Sequence, residues 1–268
     1  MDIHDTTISD DELTHWREHG YVRLGHVASA SDIEALAKRI DDIMLGTVAY
    51  PNMTMQLCPS AGDPEKAKQT REHKGSSLKY RKIQDLEWDP LFLAYIQHSL
   101  FRDITYKIIG EEVSCFRAMF MNKPAGQGIL LPWHQDGTGA WRLSVAPQVT
   151  IWTALDDTSI ANGCLRIVPG THHAPIVPNR DFLKEKEMAM HAPEEKQLCV
   201  EMERGEVILL HNWTLHSSTP NSTDRPRRAF SICYVDAATV SLKTGESYSK
   251  VFPQYEPTPE ALALQRAS

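Results

Sequence analysis

The pattern of apolar and polar positions changes near the middle of the chain. In the first part it is helical: residues 9–19 begin with cap-type residues and an acidic first turn, and Gly20 ends the predicted helix. A second helix is predicted to be capped by Ser31-Asp32 and to end before Gly46, because its apolar residues fall on one stripe. Helical spacing continues in two pieces over residues 88–109. The first part of the chain is therefore expected to be mainly helical.

From residue 114 onward, short apolar or alternating runs are separated by turn residues, which is typical of strands. A hairpin-type turn at Ala161-Asn162-Gly163 predicts that residues 164–168 pair back on the strand before it. Seven or eight strands are expected, the clearest of them at residues 114–123, 148–155, 164–168, 198–202, 207–210 and 227–235. Helices followed by strands indicate an α+β fold, in which helices buttress a jelly-roll or barrel core.

The length of 268 residues fits one large domain. We expect a single domain over residues 1–268, with a helical part over about 1–113, a jelly-roll core over about 114–236 and a C-terminal tail. An apolar content of 41% and a charged content of 24% are ordinary for a globular protein. The formal net charge of −7 argues against a surface that binds nucleic acid or anionic membranes.

The cellular setting can also be predicted from the residues. The N-terminus is acidic and polar, and no apolar run is long enough to span a bilayer, so neither a signal peptide nor a membrane anchor is expected. The five cysteines are scattered and form no C-x-x-C pair, which favours a reducing, cytoplasmic setting. A monomer and a homodimer both remain open.

The first candidate for chemistry is the pair His134 and Asp136. Side chains two residues apart on an extended segment point to the same face, so these two can bind one metal ion. A second histidine would complete the two-His, one-carboxylate triad that is typical of non-heme Fe(II) oxygenases. His-x-Asp alone is weak evidence, since a solvated strand end produces it too. His211 and His216 are the downstream candidates for the third ligand.

The second candidate is Arg227, at the start of the last clear strand. On its face of that strand follow Ala229, Ser231 and Cys233, whose side chains are all small. A guanidinium beside small side chains leaves room for a carboxylate, which arginine can bind through two parallel hydrogen bonds. The pattern therefore predicts an anion site at Arg227.

Six motifs in order make the chain resemble a known family, the phytanoyl-CoA dioxygenase family of Fe(II)- and 2-oxoglutarate-dependent oxygenases. The similarity runs from about Lys82 to Val235 and includes Gly20-Tyr21-Val22 near the N-terminus. The motifs are Met121-Asn122-Lys123-Pro124, Trp133-His134-Gln135-Asp136, Trp152-Thr153-Ala154-Leu155-Asp156-Asp157, Asn162-Gly163-Cys164-Leu165, Val168-Pro169-Gly170-Thr171-His172, and His216-Ser217-Ser218 with Asn221-Ser222 and Arg227.

The resemblance implies a double-stranded β-helix, a cupin-like jelly roll, with Fe(II) held by His134, Asp136 and His216. It favours His216 over His211 because the family's following serines and arginine accompany His216. It further implies that Arg227 binds the distal carboxylate of 2-oxoglutarate. The remaining residues of the cosubstrate pocket would be Ser218, Lys82, Met119 and Trp152. His172 is interpreted as structural or near the substrate.

The function implied is hydroxylation of a C–H bond with consumption of O2 and 2-oxoglutarate and release of succinate and CO2. Desaturation, cyclisation or epimerisation by the same machinery remains open, as does a non-catalytic jelly roll that binds metal or 2-oxoglutarate. Because Asp136 keeps the carboxylate that halogenating relatives lack, hydroxylation is the default.

The substrate is expected to be a small polar or anionic metabolite, such as an amino acid or an organophosphonate. Its contacts are expected in the segments 47–77, 138–142 and 172–196. The charged residues that support this expectation are Lys79, Arg81, Arg142 and Arg180.

Overall fold

The computed structural model describes residues 4–59, 67–139, 141–177 and 182–253. The α-helices of this part are α1 (Asp10–His19), α2 (Ala30–Leu45), α3 (Pro90–Ile96), α4 (Ser99–Ile108) and α5 (Glu185–His191). Short 3-10 helices lie at Leu86–Trp88, Thr171–His173 and Glu194–Lys196. The strands are β1 (Tyr21–His26), β2 (Met55–Leu57), β3 (Tyr80–Gln84), β4 (Val113–Lys123), β5 (Leu131–His134), β6 (Val149–Ala154), β7 (Leu165–Val168), β8 (Leu198–Val200), β9 (Glu206–His211), β10 (Leu215–Ser218), β11 (Arg227–Asp236) and β12 (Ser249–Phe252).

The first two helices begin at capping boxes and end at left-handed glycines. The prediction for α1 is confirmed, since the Ser9 side chain accepts from the Glu12 backbone N–H and Gly20 has a φ of 78°. For α2 the predicted cap at Ser31-Asp32 is wrong by two residues. Ser29 is the N-cap, and Asp32 is the acidic residue three positions later that bonds back to it. The sequence does not separate Ser29 from Ser31, two positions later, because either serine can cap a helix and only the reciprocal bond distinguishes them.

The strands form two sheets, which confirms the predicted jelly roll. The larger sheet has the order β1-β9-β6-β11-β4-β3-β2, and β12 also pairs with β4. The smaller sheet has the order β5-β10-β7-β8. The region expected to be the core contains eight of these strands, β4 to β11, as predicted. The larger sheet is extended by β1, β2 and β3 from the mainly helical part and by β12 from the predicted tail.

One predicted pairing is wrong. The turn at Ala161-Asn162-Gly163 does not fold β7 back on β6, because the two strands belong to different sheets. Both neighbouring positions of β6 are filled, by β11 and by β9, whereas β7 pairs with β10 and β8. The turn therefore carries the chain across from one sheet to the other.

Helices α1 to α4 cover the outer face of the larger sheet. The apolar stripe of α2, which includes Ile33, Leu36 and Ile40, is part of one buried cluster with Phe120 and Phe230 of the sheet. Each such side chain contributes roughly 1.5–3 kcal/mol on burial. Between the sheets lies a smaller apolar cluster, composed of Trp152, Ala154, Leu165, Ile167, Val200, Met202, Ile208, Leu210 and Ala229. This smaller cluster leaves space between the sheets at the end nearest His134.

Among the described residues, no helix combines the length and the apolar character that crossing a membrane requires.

Candidate functional site

Two adjacent strands of the smaller sheet bring the predicted metal ligands together. His134 of β5 and His216 of β10 are cross-strand partners, and their ring centroids are 4.0 Å apart. Asp136 follows β5 and is held there because its backbone N–H donates to the carbonyl of Asn212 at 2.8 Å. One ligand atom from each of the three side chains lies within 4.8 Å of the others. In the described ranges no other group of three His, Cys, Asp or Glu side chains meets this criterion.

Backbone carbonyls fix the tautomers of both histidines. Nδ1 of His134 lies 2.8 Å from the carbonyl oxygen of Pro132, and Nδ1 of His216 lies 2.8 Å from that of Thr214. A carbonyl oxygen can only accept, so each Nδ1 carries the proton and each Nε2 keeps a free lone pair. A metal-binding histidine needs this arrangement, in which the second nitrogen is anchored to an acceptor.

The protonation states of the site also suit a metal. Burial, together with the neighbouring His216, lowers the pKa of His134 to about 4, so its ring is neutral at pH 7. Burial alone would raise the pKa of Asp136, but the nearby cations, Arg117 foremost, lower it below the ordinary value. The group therefore presents the neutral imidazole of His134 and the carboxylate of Asp136 beside the His216 ring, and two histidines with one carboxylate are a donor set that a divalent transition metal takes.

Arg117 is a site residue that sequence reasoning missed. Its guanidinium bonds the Asp136 carboxylate at 3.1 Å and lies 4.3 Å from the centre of the Trp141 ring. It occupies β4 two positions before Met119, so both side chains project into the same interior. Period-two spacing from Met119 could have identified Arg117. The ion pair with Asp136 lies outside what a sequence pattern can show, because the two residues meet only across the sheets.

His211 and His172 lie outside the metal-ligand group. His211 ends β9, where its Nδ1 accepts from the Trp213 backbone N–H at 3.0 Å. Burial lowers the pKa of His211 to about 3. His172 is buried and donates from Nε2 to the carbonyl of Arg17 at 3.0 Å, as expected for a residue with a structural role.

A cavity of about 340 Å³ opens beside the His–Asp–His group, between the two sheets. All eight residues singled out in the sequence line it: His134, Asp136, His216, Arg227, Lys82, Met119, Trp152 and Ser218. His134 and His216 lie in the smaller sheet, and Asp136 directly follows its strand β5. The larger sheet contributes Arg227, Met119, Trp152 and Lys82. The sequence therefore identified residues that the fold brings to one space from both sides.

Arg227 is the most buried of the cationic side chains that line this cavity. Only 5% of its surface is exposed, and its Nε is buried without a hydrogen-bond partner. No carboxylate of the described residues forms an ion pair with it. Burial lowers its pKa to about 10, which still leaves the guanidinium charged at pH 7. A buried cation of this kind requires an anionic partner, and the carboxylate of a ligand would supply one.

Lys123 is a second cavity residue that the sequence did not single out as a site. It is the cross-strand partner of Arg227, and its ammonium donates to the carbonyl of Ile129 at 2.8 Å. Burial and the charges of Arg227 and Arg81 lower its pKa to about 7. Burial and Arg117 similarly lower the pKa of Lys82 to about 8. The signal for Lys123 was its alternation with Met119 and Met121 on one face of β4.

Comparison with known proteins decides the family. The profile of the family described as Phytanoyl-CoA dioxygenase (PhyH) matches residues 16–229. The chain belongs to the PhyH family. A probable phytanoyl-CoA dioxygenase of Caenorhabditis elegans is 29% identical over 247 residues, which cover 85% of this chain and 76% of the relative. The predicted family and its dioxygenase class are therefore confirmed.

Solved structures show the same fold at lower sequence identity. EctD from S. alaskensis, solved with 2-oxoglutarate and 5-hydroxyectoine, superimposes with a TM-score of 0.70 at 18% identity and covers 94% of this chain and 86% of EctD. The non-heme alpha ketoglutarate dependent carbocyclase SnoK from nogalamycin biosynthesis has a TM-score of 0.67 at 18% identity, with 95% of this chain and 98% of SnoK covered. Both confirm the α+β double-stranded β-helix of this PhyH protein.

The segments expected to contact substrate reach the cavity in part. Residues 47–77 include β2, and Cys58 directly after β2 lines the cavity. Trp141 and Phe182 line it from the other two segments. Of the predicted charged residues, Arg81 lines the cavity, whereas Lys79 and Arg142 are exposed outside it. Arg180 lies outside the described residues.

Proposed function

We propose that this PhyH protein is an Fe(II)- and 2-oxoglutarate-dependent dioxygenase whose iron is held by His134, Asp136 and His216. The observation that carries the proposal is the group of three ligand atoms within 4.8 Å, beside a cavity that also contains Arg227, with which no carboxylate of the described residues forms an ion pair. When bound, iron with 2-oxoglutarate and O2 supplies an oxidant for a substrate C–H bond and releases succinate and CO2. The protein's own part is to hold the reactants in place and to keep water out.

The cosubstrate is assigned mainly to the larger sheet, with Ser218 added from β10 of the smaller sheet. Arg227 and the buried Ser218 would bind the distal carboxylate of 2-oxoglutarate, where a charged donor and a hydroxyl can both donate. Trp152 lies beside Arg227, with 5.8 Å between the guanidinium carbon and the ring centre. Met119 and Trp152 would cover the methylene groups. Lys82 would add a positive charge close to Arg117 and the ligand group.

The favoured reaction is hydroxylation of a small polar metabolite, such as an amino acid or an organophosphonate. A volume of about 340 Å³ lies at the low end of the roughly 300–1,000 Å³ that small-molecule pockets occupy. The cosubstrate takes part of that volume, so a long acyl-CoA would have to lie largely outside. The name of the family is therefore a poor guide to this chain's substrate. A cytoplasmic location stays a prediction.

Cyclisation, desaturation or epimerisation is the second candidate reaction, and the structural likeness to the carbocyclase SnoK favours keeping it. The products separate the two candidates. Hydroxylation adds one oxygen atom to the substrate, cyclisation and desaturation remove two hydrogen atoms, and epimerisation leaves the composition unchanged. Mass spectrometry of a turned-over substrate therefore decides between them.

The experiment that tests the proposal begins with anaerobic protein loaded with Fe(II). Addition of 2-oxoglutarate should produce the weak visible charge-transfer band of the iron chelate, and admission of O2 should then release succinate slowly without added substrate. Iron that binds but gives neither band nor succinate would contradict the proposal. That result would favour a jelly roll that binds metal without turnover.

A further inference from the structure

The cavity carries more positive charge than the proposed reactants need. Five basic side chains line it, whereas Asp136 supplies the sole carboxylate among the described lining residues; the basic residues are Arg81, Lys82, Arg117, Lys123 and Arg227. Lys123, with a pKa of about 7, is charged only in part at pH 7. Asp136 is already paired with Arg117. A divalent metal and the dianion of 2-oxoglutarate cancel one another, so they leave the surplus in place. Uncompensated charge of one sign in a low-dielectric cleft attracts a ligand of the opposite sign.

A β-bulge adds Arg81 to this cavity. Consecutive side chains of a regular strand point to opposite faces, yet Arg81 and Lys82 line the same space. The register explains this, since Gln56 pairs with Lys82 and Leu57 pairs with Tyr80, which leaves Arg81 as the extra residue of β3. Bulges beside active sites commonly redirect one side chain in this way.

Arg81 has no anionic partner in the part of the chain that the structure describes. It is half-buried, and burial lowers its pKa below the ordinary value, opposed only by the nearby Cys58 thiol. The charged side chains that interact with Arg81 are two further cations, Lys82 and Lys123. Burial of a guanidinium among like charges costs free energy, and no ion pair among the described residues offsets this cost for Arg81. Perturbed charged groups of this kind in a cleft are typical of ligand-binding sites.

The other cations have roles that do not extend to Arg81. Arg117 is bonded to Asp136, and Arg227 with its cross-strand partner Lys123 faces the proposed site of the cosubstrate's distal carboxylate. Arg81 comes instead from β3, close to the edge of the larger sheet. It is half-buried, whereas Arg227 and Lys123 are buried, so Arg81 lies nearer the solvent. A second anion that enters after the cosubstrate therefore meets Arg81 first.

We propose that the prime substrate carries a carboxylate or a phosphate-type group and that Arg81 binds this group. The inference rests on the proposed dioxygenase function and deepens it by naming the substrate's charge and its anchor. It requires a substrate with an acidic group at one end and the oxidised C–H bond at the other. A neutral metabolite of the same shape would give the Arg81 guanidinium no anionic partner, so we expect it to bind more weakly.

Binding of small probe anions tests this directly. Anaerobic protein saturated with Fe(II) and 2-oxoglutarate is titrated with acetate, with methylphosphonate and with acetamide, while the chelate band is monitored. Acetate and acetamide have nearly the same shape and differ in charge. We expect one or both anions to bind and to perturb the band, whereas acetamide does not. The comparison of acetate with methylphosphonate shows whether a carboxylate or a phosphate-type group fits better.

Variants then assign the effect to Arg81. Arg81→Gln should weaken anion binding by about tenfold or more, which is the usual size for loss of a charge-assisted hydrogen bond. In this variant the factor by which the Kd of the probe anion rises should be at least about five times the factor by which the Kd of 2-oxoglutarate rises. Arg81→Lys should retain part of the affinity, and Arg142→Gln, the same change at an exposed arginine outside the cavity, should retain all of it.

Three results would overturn the inference: binding of acetamide as tight as that of the tighter anion, no binding of either anion, or an Arg81→Gln variant that loses 2-oxoglutarate affinity alone. The last would place Arg81 in the cosubstrate site. Failure of the dioxygenase proposal itself is distinguishable, because then no chelate band forms when 2-oxoglutarate is first added.

Discussion

The three ligand side chains can be tested one by one, with a nearby histidine as the control. We expect His134→Ala, Asp136→Ala and His216→Ala each to abolish Fe(II) binding, because each removes one of three donors in a single group. His211→Ala should retain most of it, since His211 bonds to the Trp213 backbone outside that group. Equilibrium dialysis of Fe(II) measures both. Loss of iron in the His211 variant with retention in the His216 variant would reverse the assignment.

Arg227 should act on the cosubstrate and not on the metal. We expect Arg227→Ala to raise the Kd of 2-oxoglutarate by about tenfold to a hundredfold, because a buried charged hydrogen bond contributes about 1.5–3 kcal/mol. Titration of the chelate band gives the Kd, and dialysis shows whether iron still binds. Arg227→Lys, which keeps the charge but not the two parallel donors, should lie in between. An unchanged Kd in the alanine variant would remove Arg227 from the cosubstrate site.

Gln135, between two ligands, holds the surrounding loops. Its side-chain nitrogen donates to carbonyl oxygens of Thr171, Ala174 and Trp213, and its oxygen accepts from the backbone N–H groups of Ile176 and Val177. Gln135→Leu leaves these buried backbone groups without partners, at about 1–3 kcal/mol each where water cannot replace the bond.

We therefore expect Gln135→Leu to lower the free energy of unfolding by about 3 kcal/mol or more and also to weaken iron binding. Urea denaturation and dialysis measure the two effects. Gln135→Glu tests the donor side separately, because it keeps the accepting oxygen but turns a second, acceptor-only oxygen towards the three carbonyl oxygens, so it should also be less stable than the wild type. A leucine variant with wild-type stability would show that water satisfies the loop groups.

Residues in motifs were easier to predict than residues that act through space. The His-x-Asp spacing and the strand face of Arg227 indicated candidate ligand-binding residues because a local period places those side chains. Arg117 and Lys123 were missed as site residues, since a charged residue on a strand is usually solvated. In the sequence, Gln135 stands out only as the residue between His134 and Asp136. Its five partners lie 36 to 78 residues away, and no local pattern reports them.

At the scale of elements, the cap of α2 gives a sharp comparison between two serines. We expect Ser29→Ala to lower the free energy of unfolding by about 1 kcal/mol, because Ser29 accepts from the Asp32 backbone N–H. Ser31→Ala should cost much less, since Ser31 lies inside the helix and bonds only to the Ser29 hydroxyl among the described residues. Urea denaturation of the two variants decides, and equal losses would contradict the observed cap.

The existence of most elements could be predicted, but the pairing of strands could not. Six of the eight segments that became β4 to β11 were visible as apolar or alternating runs bounded by turn residues. The other two are the four-residue strands β5 and β10, of which β5 was expected only as the extended segment that carries His134. Which sheet each strand joins depends on contacts between distant residues, as with β6 and β7, whose connecting turn looked like a hairpin. The short β2 lay in a stretch without any period, and β12 lay in the predicted tail. Three- and four-residue strands contain too few positions for alternation to be recognised.

For the whole molecule, the buried histidines predict acid sensitivity of the metal-free protein. Burial lowers the pKa of His211 to about 3, and that of His172 also falls below the ordinary 6.5. In the unfolded chain these rings gain protons near pH 6.5, whereas in the folded protein they resist protonation. Between about pH 6.5 and 3 the unfolded state therefore binds more protons, and the free energy of unfolding falls as the pH falls.

We expect urea denaturation at pH 7.5, 6 and 5 to show this steady loss of stability. His211→Asn should flatten the dependence, because it removes the ring whose pKa falls to about 3 in the folded protein. A His15→Asn variant, at a half-buried position of α1 beside His19 and Tyr21, is the matched control for the loss of one histidine. A pH dependence that is identical in the His211 variant would show that other groups control the acid response.

The separation of the two sheets has a consequence for the choice of cosubstrate. The proposed iron site belongs to the smaller sheet and Arg227 to the larger one, and stacked sheets lie about 10 Å apart. Under the proposed function, a 2-oxo diacid must span this gap with one end on the metal and the other on the guanidinium. The distance between the two sheets thus selects the chain length of the diacid. 2-Oxoadipate, one methylene group longer, has to bend to fit, and oxaloacetate, one methylene group shorter, cannot contact the metal and the guanidinium at once.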